Sequence, residues 1–271
     1  MMATFFGEVL SVFSRAVQEE DEEIYRELED EREVHLHWIP DVAESLRCGT
    51  KLPCSQFILA VGHNATGFLS MYVLTPARWT KVGHATVWNE RSRACAGPAD
   101  LDCRCVFYRH KDKPLVWICQ VSCFIAEDQL FQWTEKVLGC FQQRELNVMV
   151  LSDCSVIDYK TADHLDSNSA PFLRAVCTST FGGRPLCWSL EQPNIVTGLP
   201  AAVLSHCQVH HIPSVLYQCY SDISSTDSVT MQTYKPTLSS LGDSIQVEAS
   251  PCLDVLQPLL HGADVHSNLY M

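Results

Sequence analysis

The sequence predicts an α/β fold: a three-layer sandwich in which a mostly parallel sheet is covered on both faces and extended by an antiparallel hairpin portion. Three observations predict it. Short, almost wholly apolar runs recur along the chain: "FILAV" at 57–61, "LVWICQV" at 115–121, "LNVMVLSD" at 146–153 and "SVLYQCYSD" at 214–222. Strands that read as continuous apolar runs are buried on both faces, as in parallel sheets. Segments with helical apolar spacing alternate with these runs. Finally, the polar turn "RHKDKP" at 109–114 separates two strand-like stretches, the pattern of a hairpin. At 271 residues and 46% hydrophobic content the chain has material for a substantial core.

The opening "MMATFFGEVLSVFSRAV" is apolar, but Glu8 interrupts it and no basic region precedes it, so it does not read as a signal peptide. Residues 18–33, "QEEDEEIYRELEDERE", hold ten acidic residues against Arg26 and Arg32 and so carry −8 of the net charge of −13. So dense a run of carboxylates repels itself and resists burial; it reads as a solvated, disordered tether or arm. An irregular helix continuing through "IYRELEDEREVHLHWI" is the other expectation for this stretch. The remaining −5 is ordinary for a soluble protein, and no basic patch offsets the acidic balance, so nucleic acid is not expected as a partner. Residues 1–50 are set apart as an N-terminal segment, 51–263 as a single α/β domain and 264–271 as a flexible C-terminal tail.

Within the domain, 57–61 ends at Gly62 and helical spacing begins after Asn64, giving strand, turn, helix. The hairpin follows, and then "AEDQLFQWTEKVLGC" at 126–140. There Leu130, Trp133, Val137 and Leu138 share one side, Glu127 and Asp128 start the helix and Gly139 ends it. "LPAAVLSHCQVHHIP" reads as a helix from near Pro200 that stops before Pro213 and hands over to the strand at 214–222. "TDSVTMQTYKPTLSS" and "CLDVLQPLLHGA" are weaker helical candidates, interrupted by Pro236 and Pro258. No apolar run reaches the roughly 18 residues of a membrane span, so a soluble, intracellular protein without membrane insertion is expected. Many of the fourteen cysteines sit inside apolar runs such as "VWICQVSCF", where a free thiol acts as a small hydrophobe, and reduced buried thiols are expected.

Chemical signatures are weak throughout. "VGHNATG" follows the first strand and offers backbone amides at a helix start, and Gly62 and Gly67 have the spacing of a phosphate loop's outer glycines. Phe68 and Leu69, however, stand where Lys and Ser or Thr are required, and Asn64 occupies the middle glycine of a dinucleotide fingerprint. No cofactor is expected. Metal ligation lacks four ligands at a recognisable spacing. Cys119 and Cys123, placed on one strand, would lie about 13 Å apart; Cys103 with Cys105, and His210 with His211, complete no set. No nucleophile motif appears, and no catalytic residue is assigned. Asp153, Asp158 and His164 nevertheless occupy the polar loop after a buried strand, where an α/β enzyme keeps its acid and base.

Long ordered blocks carry a specific resemblance: "ATFFGEV", "CSQFILAVGHNATGFLS", "AEDQLFQWTEKVLG", "PFLRA", "LEQPNIVTGLPAAVLSHCQVHHIPSVLYQCYSD" and the terminal "SNLYM". With these the chain resembles the proteasome assembly chaperone 1 family over nearly its whole length. The resemblance implies a non-enzymatic subunit that pairs with proteasome assembly chaperone 2 and docks on proteasome α-subunits. It implies promotion of α-ring assembly, with wrong or premature association blocked. It also implies a cytoplasmic protein, with the nucleus and the endoplasmic reticulum as further addresses. Family members insert a C-terminal hydrophobic-Tyr-any motif between adjacent α-subunits, and the matching positions here are Leu269, Tyr270 and Met271.

The physics of such a tail is readable without the family. A terminal carboxylate is captured by a lysine or by backbone amides, Leu269 fills an apolar slot, and Tyr270 brings a ring with a hydroxyl to satisfy. The rival reading is a small-molecule hydrolase or transferase that uses the loops after the first and third central strands, around Asn64 and Asp153. The two differ in structure: the enzyme needs a deep cleft where those loops converge, and the chaperone has a filled site and an exposed apolar pairing face.

Overall fold

Apolar residues on successive positions of one strand point to opposite faces of a sheet, so a strand that is apolar throughout needs a core on each side. The computed structural model provides two. It describes residues 33–87, 105–161, 170–222, 226–239, 241 and 245–250. In chain order these form β1 (His35–Trp38), α1 (Pro40–Arg47), β2 (Gln56–Val61), α2 (His63–Tyr72), β3 (Trp79–Thr86), β4 (Cys105–His110), β5 (Val116–Val121), α3 (Leu130–Gly139), β6 (Asn147–Ser155), β7 (Phe172–Cys177), α4 (Gly198–Val209), β8 (Ser214–Ser221), α5 (Ser228–Thr233) and α6 (Lys235–Ser239). Most of the acidic run, His164, the stretch "CLDVLQPLLHGA" and the tail at 264–271 lie outside the described residues.

The eight strands form one sheet in the order β1-β3-β4-β5-β2-β6-β8-β7. Its centre, β5-β2-β6-β8, is parallel. The flanks are antiparallel and extend beyond the expected hairpin of β4 and β5, since β3 and β1 continue one side and β7 closes the other. Phe57, Leu59, Trp117, Val148, Val150 and Leu216 face one core, completed by Val42 of α1, Trp133 and Val137 of α3 and Val203 of α4. Ile58, Ala60, Ile118, Met149, Leu151 and Tyr217 face the other, completed by Phe68 and Tyr72 of α2, Met231 of α5 and Leu238 of α6. Trp117 and Trp133 are fully buried, and truncation of such a side chain to alanine costs about 3–5 kcal/mol.

The stretch "HLHW" is a strand, so the irregular helix that the sequence left open does not run through it. His35, Leu36, His37 and Trp38 alternate exposed with half-buried as an edge strand does, and they pair with β3 from His35↔Thr86 to Trp38↔Gly83. The helix begins only at Pro40, where a missing N–H is harmless. Residues 35–47 thus add a strand and a helix to the sheet although they lie in the segment set apart at 1–50. Two ends of the molecule result. Beyond the carboxyl ends of the parallel strands lie the starts of α2 and α5; beyond their amino ends lie the loops around 51–55, 111–115 and 140–146. Among the described residues no helix is long and apolar enough to cross a membrane.

Candidate functional site

Parallel β2 and β6 are neighbours in register from Gln56↔Asn147 to Val61↔Ser152, so Gly62 and Asp153 meet just beyond. Gly62 takes φ +103°, in the left-handed region that favours glycine, and turns the chain into α2. The first amides of α2 then point at the Asp153 carboxylate: Asn64 N–H donates to Oδ2 at 2.7 Å and Ala65 N–H to Oδ1 at 3.1 Å. The Tyr234 hydroxyl lies 2.8 Å from both Asp153 Oδ1 and the Ser152 carbonyl oxygen. From the other side the Asn64 side-chain oxygen accepts the Asp227 amide at 2.7 Å, and Asp227 itself caps α5 by accepting from Thr230 N–H at 2.9 Å. A side chain at Gly62 has no room, because its Cβ would fall 2.5 Å from Asp153 Oδ2.

A helix N-terminus beyond a parallel strand is where α/β proteins hold a phosphate or a carboxylate ligand. Here the anion is the chain's own. Burial pushes the Asp153 carboxyl above its ordinary range, opposed by the hydrogen bonds from Tyr234, Asn64 and Ala65. The arrangement therefore ties β6, α2 and the α5–α6 turn together. The other members of the sequence-predicted constellation do not join it: Asp158 is exposed on a short 3-10 turn (Val156–Asp158), and His164 lies outside the described residues. Tyr234 and Asp227, which complete the cluster, were not anticipated. They stand 81 and 163 residues from their partners, and no spacing in the sequence announces them.

The remaining candidates also rearrange. β5 ends at Val121, so Cys123 is not on a strand with Cys119; it turns to Cys105, with the two sulfurs 3.6 Å apart. Hydrogen bonding to Cys123, and then burial, raises the Cys105 thiol well above its usual range, and burial does the same for Cys119. His210 lies against His206 with ring centroids 4.1 Å apart and planes tilted by 32°, whereas His211 adopts φ +56°. Among the described residues the cysteines are free thiols, and no group of three or more His, Cys, Asp or Glu side chains is placed to hold a metal ion.

Exposed apolar side chains gather at the β7 edge. The stretch 188–190 runs beside this strand, with Ala175 N–H donating to the Trp188 carbonyl and Leu190 N–H to the Ala175 carbonyl. It is joined to the turn after β6 by Lys160 N–H donating to Asn194 Oδ1 at 2.7 Å and by Tyr159, Arg174 and Glu191, which bond to one another. The surface so built displays Ile157 at 88% exposure, Trp188 at 83%, Ile195 at 74% and Leu186 at 49%. Side chains of this size left in water mark an interaction surface when they cluster. Leu269, Tyr270 and Met271 lie outside the described residues, the last of which is Ser250.

The fold and the site define an α/β binding scaffold: its strand-end position is occupied by an internal carboxylate and its edge displays apolar side chains. Comparison with known proteins gives the family. The family model PAC1, described as "Proteasome assembly chaperone 4", matches residues 2–271. Proteasome assembly chaperone 1 of Danio rerio is 49% identical over 284 residues, covering 99% of this chain and 100% of that protein. Proteasome assembly chaperone 1 of Xenopus laevis is 48% identical over 288 residues, with both chains covered completely. Among solved structures, Pyrococcus furiosus PbaA, an archaeal homolog of proteasome-assembly chaperone, superposes with a TM-score of 0.52 at 12% identity over 85% of this chain and 87% of that one, a likeness of fold. The chain belongs to the proteasome assembly chaperone family that this match and these relatives define.

Proposed function

We propose that this chain is a non-enzymatic subunit of a proteasome assembly chaperone, acting in the cytoplasm as a heterodimer with proteasome assembly chaperone 2 on the α-ring of the 20S core. The observation that supports the reading is the full-length match to relatives named proteasome assembly chaperone 1. The internal anchoring of Asp153 agrees with it, since the position where an α/β enzyme would hold its ligand is taken by the chain's own carboxylate. No observation favours the hydrolase or transferase reading.

In this proposal Leu269, Tyr270 and Met271 dock between adjacent α-subunits, and the surface of Ile157, Leu186, Trp188 and Ile195 is the face that pairs with the partner chaperone. A short tail alone binds weakly, because each immobilised side chain costs about 0.5–1.5 kcal/mol of ordering. Two tails and a folded surface acting together raise the effective concentration of each. An occupied inter-subunit pocket is closed to any other protein that uses the same kind of tail, which blocks premature association. The test compares the purified heterodimer with one truncated after Asn268 for binding to α-rings. A loss of at least about tenfold, with unchanged thermal stability, supports tail docking. Undiminished binding refutes the tail while leaving the chaperone reading in place.

A further inference from the structure

Cys105 opens β4 and stands opposite Val121, the last residue of β5, while Phe107 stands opposite Cys119. Directly paired residues share one face of a sheet. Cys105, Cys119 and Val121 accordingly lie in the core that Trp133 and Val137 of α3 complete, and Cys123 packs against it. Two residues past the end of β5, Cys123 turns back toward the first residue of β4, which brings its sulfur to 3.6 Å from that of Cys105. Both residues are free thiols. A disulfide measures about 2.05 Å between sulfurs, so the pair has to close by roughly 1.5 Å. Cys123 can supply that movement because it lies outside the strands, on the segment that leads into α3. Cys105 is held by its ladder to β5 and is wholly buried.

The two thiols differ in access. Cys123 is half-buried and Cys105 has no exposure, so an oxidant that enters from solvent meets Cys123 first. Exposure and thiolate character decide which cysteine is oxidised. The hydrogen bond to Cys123, and then burial, raise the Cys105 thiol well above its usual range, and the Trp133 indole opposes the rise. At rest Cys105 is therefore a neutral, shielded thiol. It becomes useful as a nucleophile only when an electrophilic sulfur is made beside it, and the 3.6 Å contact places Cys123 there.

We propose that Cys105 and Cys123 are a redox modification site, converted by hydrogen peroxide to a reversible disulfide that staples the start of β4 to the segment leading from β5 into α3. In the first step the Cys123 sulfur attacks one peroxide oxygen. The S–O bond forms as the O–O bond breaks, and the departing hydroxide takes the thiol proton and leaves as water. In the second step the Cys105 sulfur attacks the sulfenic sulfur of Cys123. The S–S bond forms as the S–O bond breaks, and hydroxide leaves with the Cys105 proton as a second water. Two electrons pass from the two thiols to one peroxide, and a dithiol reductant returns them. A leaving thiol that ionises reluctantly is displaced slowly, so the bond persists once made. The site stands apart from the chaperone reading and does not depend on it.

The test treats the purified full chain with equimolar hydrogen peroxide, blocks the remaining thiols with N-ethylmaleimide in denaturant, and maps unreduced peptides by mass spectrometry. Trypsin cuts after Arg104 and so separates Cys105 from Cys103, and fragment ions distinguish Cys123 from Cys119. A Cys105–Cys123 bond as the main product, reversed by dithiothreitol, supports the proposal. Oxidation of the exposed Cys48 with Cys105 and Cys123 still reduced overturns it, as does a main product that joins either of them to another cysteine. A second measurement uses dimedone, which traps sulfenic acid. Cys105→Ala removes the resolving thiol, so the dimedone adduct on Cys123 should rise at least about fivefold over wild type. Equal adduct in the two chains overturns the proposed order of attack. The oxidised wild type should also melt roughly 6–12 °C above the reduced one, because the bond restricts the unfolded chain between 105 and 123. An unchanged melting temperature refutes the staple.

Discussion

Replacing Asp153 by alanine removes the one acceptor shared by α2 and the α5–α6 turn. Asn64 N–H, at 2.7 Å, and Ala65 N–H, at 3.1 Å, lose their partner although both residues are themselves buried, while the Tyr234 hydroxyl keeps the Ser152 carbonyl at 2.8 Å. Each orphaned buried donor costs about 1–3 kcal/mol. Against this stands relief from burying a carboxylate, the effect that raises its pKa. The net expectation is a loss of roughly 2–4 kcal/mol, the donor cost dominating because charge-assisted bonds are the stronger kind. At about 2–4 °C per kcal/mol for a domain of this size, the melting temperature falls by roughly 4–16 °C. Differential scanning calorimetry of the purified protein reads it directly. A melting temperature unchanged or raised would mean that the buried charge is a net burden and that the cluster clamps nothing. Asp153→Asn keeps one carbonyl acceptor and should fall between. Because burial raises the folded pKa of Asp153, the folded chain holds that proton to higher pH than the unfolded chain. Wild type therefore gains stability relative to Asp153→Asn as pH falls through the raised pKa and loses that gain as pH rises.

Three further outcomes are expected. Gly62→Ala combines φ +103° with a Cβ only 2.5 Å from Asp153 Oδ2, so its melting temperature should drop at least as far as that of Asp153→Asn, checked by the same calorimetry. Burial, and then the His210 charge, lowers the His206 pKa below 6.5; the fold holds this ring neutral, so stability is lost as pH falls through the unfolded value near 6.5. His206→Gln should flatten that part of a chemical-denaturation pH profile, and an unaltered slope would contradict it. Trp188→Asp, at a position 83% exposed, should leave the melting temperature of the isolated chain within about 1–2 °C while weakening the proposed pairing with assembly chaperone 2 by at least tenfold, read by analytical ultracentrifugation.

The four central strands were legible because their burial on both faces writes itself as runs such as "FILAV" and "VWICQV", and α3 because its acids, apolar stripe and Gly139 mark start, face and stop. β3 and β7 were not. Thr80 and Lys81 interrupt one and Arg174 the other, because these strands lie toward the sheet's margins and share their surface with solvent. The four residues of β1 are likewise too few to show a period. In the candidate site, Asn64 and Asp153 were each visible as polar residues at strand ends. Their mutual bond was not, because it depends on β2 and β6 being adjacent across 89 residues of sequence. Tyr234 was further hidden, since a buried tyrosine between two short helices looks like any core aromatic until its hydroxyl is seen on Asp153. Cys123 shows the converse. Strand geometry separated it from Cys119 only on the assumption that β5 continues, and the chain leaves the sheet two residues earlier.

The central claim is that the protein promotes assembly of the proteasome α-ring. The most direct measurement mixes purified α-subunits with and without the proposed heterodimer and follows the ring by native gel and mass photometry. The account predicts faster accumulation of ring-sized complexes that carry the heterodimer. Equal ring formation in both mixtures, with no heterodimer bound to ring or subunit, would contradict it.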